Sequence, residues 1–467
     1  THRLSSAASD VYKRQQGWLC DKGRYNFEYL NSDSRLKTPL KKIDNELVEI
    51  EIQDVYSELS EVIKDRQTKV NFLLGSNLTN EDYVAFKEFS EIISQSEKSF
   101  YLNDDMLHPG FFGENVELAK VDDLNSSDAI VVWAEDLKEK IPVLYLRIRQ
   151  AVKNGVKLLV FGHTNETLSD IADVFYGKET VSENFEIVKD ISKLKEIKEL
   201  VIGKNITAIL GKSTPHQSDI SVTKLFEFLN SNSNLKVLNA YSKGNTYGAF
   251  QTLDNVKGLN DFVNDISEEN TDLLFIVGAD PVGRSVYSNQ IKSIIGGLDK
   301  VVALDNFNHE TSELANFLIP MSSTLGEKEG TFTNIEFRTS RIDKLVPSPG
   351  QTVSDWEFIT SLMNFAGLTV ETNSLESLNK KAYENLERSL SPVFDNLDKP
   401  SNLDGMVNVS KPKISSSDNN SNEVKFFTGE KLYGDSATER HSDSISLLGS
   451  KKYIEVSEGV VEKYNLT

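Results

Sequence analysis

Short apolar runs alternate with amphipathic stretches along most of the chain. Residues 70–74, 129–133 (AIVVW), 157–161 (KLLVF), 207–211 (TAILG), 236–239, 273–278 (LLFIVG) and 301–304 are runs of this kind. Their length and uniform apolarity suit strands buried on both faces. Between them, apolar positions recur at helical spacing over 54–64 (through Val55, Leu59 and Ile63), 80–94, 143–153, 222–229 and 288–295. Residues 46–52 (ELVEIEI) alternate as a short strand. Strand–helix alternation predicts an α/β protein with parallel, doubly wound sheets. Because the pattern restarts after residue 204, it predicts two such halves, 46–204 and 205–400.

The pattern fades at both ends. Residues 1–16 have no apolar period and no signal-peptide core, and read as a non-native or disordered leader. Residues 401–422, rich in Ser, Asn, Asp and Lys, have linker composition, and strands are expected over 424–433 and 452–456. No apolar run approaches the roughly eighteen residues of a membrane helix.

Composition narrows the class. Of the 467 residues 38% are hydrophobic and 26% charged, a globular balance with room for two or three domains. The net charge of -20 argues against nucleic acid and against adsorption to anionic lipid. The single cysteine, Cys20, excludes an intrachain disulfide and suits a reducing compartment. There is no phosphate-binding G-x-x-x-x-G-K-[ST] and no strand-borne G-x-G-x-x-G, so nucleotide hydrolysis and a conventional nicotinamide site lack support.

Residues 317–363 carry the densest signal. An apolar run ends at Pro320, followed by Glu327, Gly330, Thr331, Asn334, Arg338 and Arg341, then Pro347 and Pro349, and a helix beginning near Ser354. Read from its residues, this is a loop pinned to a sheet edge, with Gly330 free in backbone angle and Thr331 and Asn334 able to bond neighbouring main chain. Gly278 and Asp280, in LLFIVGADPVGRS, stand at a strand's carboxyl end, where open α/β sheets bind ligands, although Gly-Ala-Asp-Pro is equally a good turn. Residues 244–249 (GNTYGA) read as a flexible loop.

The order of Leu318, Pro320, Glu327, Gly330 to Asn334, Glu336, Arg338, Pro347, Pro349, Gly350, Asp355 and Trp356 resembles the signature of the molybdopterin oxidoreductase superfamily. The resemblance implies a loop that approaches a pterin dinucleotide, and a guanosine contact near Gly278 and Asp280. Phe337 departs from the pattern, since the superfamily usually has Gly before the Arg. A ring there crowds a backbone-to-ligand approach, so molybdopterin is expected to be absent and Gly278, Asp280, Glu327, Gly330, Thr331, Asn334 and Arg338 to be a vestigial pterin site. Upstream, WLCDKGRY followed by RLKTPL resembles the end of the superfamily's [4Fe-4S] domain, here 17–45. That implies Cys20 as one cluster ligand with Lys22 beside it. A cluster takes four ligands, so three are expected upstream of this chain. Residues 423–467 resemble the start of the superfamily's β-barrel domain, and the chain is expected to be cut short at both ends.

Residues 128–162, with Pro142, Leu146, Arg147 and Arg149, resemble the branch of the superfamily found in respiratory complex I, the proton-pumping NADH:quinone oxidoreductases. That implies an electron-transfer and scaffold subunit, peripheral on the cytoplasmic side of the membrane. It would pack against other subunits of the hydrophilic arm, with NADH and quinone bound by partners. The alternative is the catalytic subunit of a molybdenum or tungsten bis-pterin enzyme such as formate dehydrogenase or nitrate reductase. With no second cysteine, a Cys-ligated metal is excluded.

Overall fold

The computed structural model describes residues 18–65, 68–93, 99–103, 117–161, 166–176, 195–211, 219–267, 269–387, 432–433, 436–449 and 461. The expected leader (1–16), the linker (401–422), residues 424–431 of the strand expected over 424–433 and the strand expected over 452–456 lie outside these residues.

In chain order the first strands are β1 (Leu40–Ile43), β2 (Glu46–Glu49), β3 (Val70–Leu74) and β4 (Phe100–Leu102). Next come β5 (Glu117–Leu118), β6 (Ala129–Trp133), β7 (Lys157–Phe161), β8 (Val174–Tyr176), β9 (Asn205–Leu210) and β10 (Asn234–Asn239). The last are β11 (Val256–Lys257), β12 (Leu273–Val277), β13 (Val301–Asp305), β14 (Phe317–Pro320), β15 (Gly330–Thr333) and β16 (Thr339–Ile342). An eight-stranded sheet runs β11-β4-β3-β12-β13-β14-β1-β2, and a six-stranded sheet runs β5-β10-β9-β6-β7-β8. Every pairing in the smaller sheet is parallel. In the larger one only the pairings of β1, with β14 and with β2, are antiparallel.

The expected α/β class with parallel sheets is what the chain forms, but the expected division near residue 204 is corrected. β9 and β10 pair with β6 and β5, on the near side of that boundary, while β3 pairs with β12 from the far side. The smaller sheet is thus an insertion between β4 and β11. Local periodicity identifies a buried strand without naming its partner, so a restart in the pattern does not mark a boundary. The strand that opens the 317–363 segment, β14, lies inside the sheet, between β13 and β1.

Each central strand divides its side chains between two cores, as the two-residue period of a strand requires. Phe72, Leu74, Phe275 and Val277 point into one core, and Leu73, Leu274 and Ile276 into the other. In the first core Phe72 stacks on Phe275, with ring centroids 5.8 Å apart. The helix Asn80–Ile93 brings Phe86 and Phe89 against those rings. The helix Asp355–Phe365 adds Phe358, Ile359 and Leu362 from the side of the loop. A fully buried Phe or Leu contributes about 1.5–3 kcal/mol, so this core holds the helix that starts at Asn80 firmly against whatever its first turn touches. Among the described residues no helix is long and apolar enough to cross a membrane.

Candidate functional site

After β14 the chain leaves the large sheet, forms the β15–β16 hairpin and returns at Val353, whose carbonyl accepts from Ser322 N at 2.7 Å. The hairpin pairs Gly330 with Ile342 and Thr333 with Thr339. It lies on the amino-terminal turn of the helix Asn80–Ile93, and that contact sets its chemistry.

Glu81, fully buried, accepts from Thr331 N at 2.7 Å and Thr331 Oγ1 at 2.9 Å. Burial pushes its carboxyl up to about 7, and the Thr331 bonds work against that rise. Asn80 donates to Thr331 Oγ1 at 3.0 Å, and Asn245 accepts from Thr333 N at 2.6 Å. Gly330 is required by this close approach: an added Cβ would lie 2.6 Å from Thr79 Cγ2 and 2.7 Å from Glu81 Oε2.

Beside it Lys328 is buried between two carboxylates, donating to Asp82 Oδ2 at 2.6 Å and to Asp355 Oδ2. Burial disfavours the ammonium, but Asp355 and Asp82 outweigh it and hold the proton on more tightly than usual. The triad sets two buried carboxyl groups against one ammonium. Burial, with Asp82 adding repulsion, pushes Asp355 up to about 7 against the pull of Lys328. One residue earlier, Glu327 takes both arms of the Arg35 guanidinium at 3.0 and 2.7 Å, and Ser323 N donates to it at 2.7 Å.

The turn between β15 and β16 is closed by Asn334, whose Oδ1 accepts from Glu336 N and Arg338 N, each at 3.0 Å. Phe337 sits in this turn at φ 62°, the left-handed region that a glycine enters without strain. Its ring is fully buried, edge-on to Tyr247. Glu336 accepts from Val121 N at 2.8 Å, which ties the turn to the smaller sheet, and pairs with Arg338 Nε at 3.5 Å. The expected flexible loop at 244–249 is corrected here: Thr246–Thr252 is a helix, and Thr246 to Ala249 are buried.

Gly278 and Asp280 lie apart from the hairpin, at the carboxyl end of β12. Gly278 takes φ 57°, and a Cβ on Gly75 would come within 2.2 Å of its carbonyl, so these two glycines let β3 and β12 close on each other. Asp280 Oδ1 accepts from Thr311 Oγ1 at 2.7 Å and Gly283 N at 3.2 Å, and lies 3.1 Å from His309 Nδ1. Nε2 of the same ring is 3.1 Å from Asp305 Oδ2. Burial opposes charge on both partners and their attraction prevails. Asp280 is held well below the usual carboxylate range by His309, Thr311 and Gly283. Asp305 and Asp280 push His309 up to about 10.

Cys20 is a free, half-buried thiol that precedes the short helix Asp21–Tyr25. Lys22 pairs with Glu439 at 2.7 Å. The donor set does not by itself fit an iron–sulfur cluster, which takes four ligands, since the chain has one cysteine.

The structure therefore gathers Glu327, Gly330, Thr331, Asn334 and Arg338 into one loop and places Gly278 with Asp280, and Cys20 with Lys22, at two other positions. Glu327, Thr331 and Asn334 spend their polar atoms on protein partners, Gly330 faces a helix turn, and the Phe337 ring fills the turn. Sequence reasoning missed Arg35, Asn80, Glu81, Asp82, Lys328, Asp305 and His309. Lys328, between Glu327 and Glu329, carries no local sign of burial, because its partners lie 246 and 27 residues away.

A family model described as molybdopterin oxidoreductase matches residues 35–365. The F420-dependent formate dehydrogenase subunit alpha of Methanocaldococcus jannaschii is 22% identical over 441 residues, covering 75% of this chain and 65% of that protein. The NADPH-Fe(3+) oxidoreductase subunit alpha of Geobacter sulfurreducens is 22% identical over 450 residues, covering 78% of this chain and 53% of that one. A shorter match, 36% over 94 residues, is to the assimilatory nitrate reductase catalytic subunit of Bacillus subtilis and covers 20% of this chain and 13% of that protein. None of these names is that of an NADH:quinone oxidoreductase subunit. Among solved structures, acetylene hydratase from Pelobacter acetylenicus superposes with a TM-score of 0.50 at 13% identity, covering 75% of this chain and 64% of that one, and shares the fold. The chain spans 65% of the length of the formate dehydrogenase subunit and about half that of the NADPH-Fe(3+) oxidoreductase.

Proposed function

The chain belongs to the molybdopterin oxidoreductase family, and from that premise we propose that it is the body of the large redox subunit of a dehydrogenase complex, of the formate dehydrogenase alpha-subunit type. The observation that carries this reading is the breadth of the alignments: two relatives named as alpha subunits of oxidoreductases each cover three quarters or more of the chain. The family model overlaps the same α/β body, from Arg35 at the buried ion pair to Phe365 at the end of the helix after the loop. Cys20, on the segment leading into that body, would be the chain's contribution to a [4Fe-4S] cluster.

One observation favours a second reading. Phe337 fills the turn that in a pterin-binding relative would be open, and the polar atoms around it are bonded within the protein. On that reading the chain is an electron-transfer and scaffold subunit of a respiratory NADH:quinone oxidoreductase. It would lie peripherally on the cytoplasmic side of the membrane, packed against other hydrophilic-arm subunits that bind NADH and quinone.

Metal and pterin content of the full-length protein, purified from its own host, separates the two. Stoichiometric molybdenum or tungsten with an extractable pterin supports the formate dehydrogenase type and ends the scaffold reading. Iron without molybdenum, tungsten or pterin does the reverse.

A further inference from the structure

The large sheet ends on β2, which has β1 on one side and no strand on the other among the described residues. The direction of its main-chain groups follows from its neighbours. Lys42 N donates to Asn316 O at 2.8 Å, on the β14 side of β1, so Lys42 and Leu47 exchange no bonds across the β1–β2 ladder. Ile50 N, in contrast, donates back to Pro39 O at 3.0 Å. Antiparallel strands alternate bonded and non-bonded pairs, so the main chain of Glu46, Val48 and Ile50 faces β1. The N–H and C=O groups of Leu47 and Glu49 point outward along the open edge, and none of the four has a protein partner among the described residues. A bare edge of this kind is a template for another extended chain.

No proline or bulge interrupts this edge: the β1–β2 register runs unbroken from Leu40 opposite Glu49 to Ile43 opposite Glu46. Asp44 and Asn45 close the hairpin at φ 50° and 68°, the two-residue turn whose twist suits its strands. Ile43 and Val48 are 45% and 43% exposed, and the register puts them on one face of the pair. Beside them Glu46 and Glu49 are exposed and make no ion pair among the described residues. The lysines of β1 are engaged elsewhere, Lys41 with Glu58 and Lys42 with the Glu313 carbonyl at 2.9 Å. A second copy of this chain is a poor occupant, because β2 has no cation of its own. Pairing it with itself in any register leaves Glu46 and Glu49 opposite apolar, amide or acidic side chains.

We propose that the open edge of β2 receives an extended segment of a partner polypeptide as a further antiparallel strand, its two apolar residues beside Leu47 and Val48 and its flanking basic residues beside Glu46 and Glu49. Strand addition draws affinity from main-chain hydrogen bonds and selectivity from the side chains on either face. Leu47 and Glu49 supply the first through their outward N–H and C=O groups. Val48 and the two glutamates supply the second, and the charge that disfavours a second copy selects the basic partner. This goes beyond the family reading, which assigns no role to this edge.

The probe is an end-blocked peptide centred on Lys-Val-Ile-Lys, added to the whole chain. Hydrogen–deuterium exchange is expected to slow over residues 46–50 with the peptide in excess and to stay unchanged in β12. Fluorescence anisotropy of the labelled peptide gives the affinity. Glu46→Lys/Glu49→Lys is expected to weaken it at least tenfold. Glu49→Pro removes an outward N–H that no internal acceptor uses and is expected to abolish the slowing, whereas Glu49→Gln retains it in part. A peptide of the same charge with proline in place of its valine is expected to protect nothing. Unchanged exchange over 46–50 overturns the proposal, and so does equal binding by the proline peptide, which would mark plain charge attraction. Slowing that follows protein concentration without peptide makes a second copy the occupant and overturns it too. If Glu49→Pro melts early, the double lysine variant decides, and undiminished affinity there also overturns the proposal.

Discussion

Phe337 stands edge-on to Tyr247, ring centroids 4.8 Å apart and planes at 83°, with Phe337 in a backbone conformation suited to glycine. Two costs and gains of similar size meet at this residue. Burial of the ring and its aromatic contact favour it, while a bulky residue at positive φ costs on the order of 1–3 kcal/mol.

Replacing Phe337 separates these terms. Phe337→Ala loses the ring and keeps the strain, with an expected loss of about 3–5 kcal/mol. Phe337→Gly also loses the ring but relieves the strain, so it is expected to cost about 1 kcal/mol less than the alanine variant. Urea midpoints measure both. Glycine proving more damaging than alanine would show that the turn does not store strain.

Stability is expected to peak on the acid side of neutrality and to fall as pH rises. His309, pushed up to about 10, holds a proton that the unfolded chain releases near pH 6.5, so its contribution is complete below about 6.5 and declines from there to about 10. Glu81 and Asp355, both pushed up to about 7, bind protons more tightly folded than unfolded, and add a decline between about pH 4 and 7. Asp280 has the opposite sign: its contribution is present above about pH 4 and is lost as pH falls further. Urea midpoints across pH 3 to 10 check this, and a midpoint higher at pH 9 than at pH 5.5 would contradict it.

The Arg35–Glu327 pair, with side chains 1% and 2% exposed, is bidentate. Glu327→Ala leaves the guanidinium buried without a counter-charge and removes the acceptor of Ser323 N, for an expected loss of about 3–5 kcal/mol. Arg35→Lys keeps the charge and loses the fork, so it is expected to restore only part of the stability that Arg35→Ala forfeits. Thermal denaturation of the three variants gives the comparison.

Gly330→Ala is expected to destabilise through overpacking, by about 1–3 kcal/mol, because the new methyl meets Thr79 and the Glu81 carboxylate. Since that contact is between hairpin and helix, amide exchange is expected to rise at Thr331 and Thr333 more than in β12. A uniform rise would point to a global effect instead.

Cys20 is half-buried and free, and in the cluster-free chain one thiol is expected to react with a thiol-specific reagent without denaturant. In protein that carries the cluster, the same thiol is expected to be protected, and Cys20→Ser to lower iron content and alter one paramagnetic signal while leaving others. A thiol that reacts equally in both forms removes Cys20 from the ligand set.

The sequence alone determined the central strands and several of the longer helices, because burial of a strand on both faces writes an unbroken apolar run and a half-buried helix writes a 3.6-residue period, both of them local. Residues 70–74, 129–133 and 157–161 form the strands expected, and the helix expected over 80–94 spans Asn80–Ile93. Word order over 317–363 carried the resemblance to the family, and Phe337 stood out as a departure from the glycine that the resembled signature usually has there. Which strands pair was left to the tertiary structure, since β3 meets β12, Val70 opposite Leu273, for reasons of topology that no window of sequence contains. The buried charges were equally out of reach. Lys328 between Asp82 and Asp355, and His309 between Asp280 and Asp305, use residue types that belong on surfaces, and only the folded chain supplies the partners that make their burial tolerable.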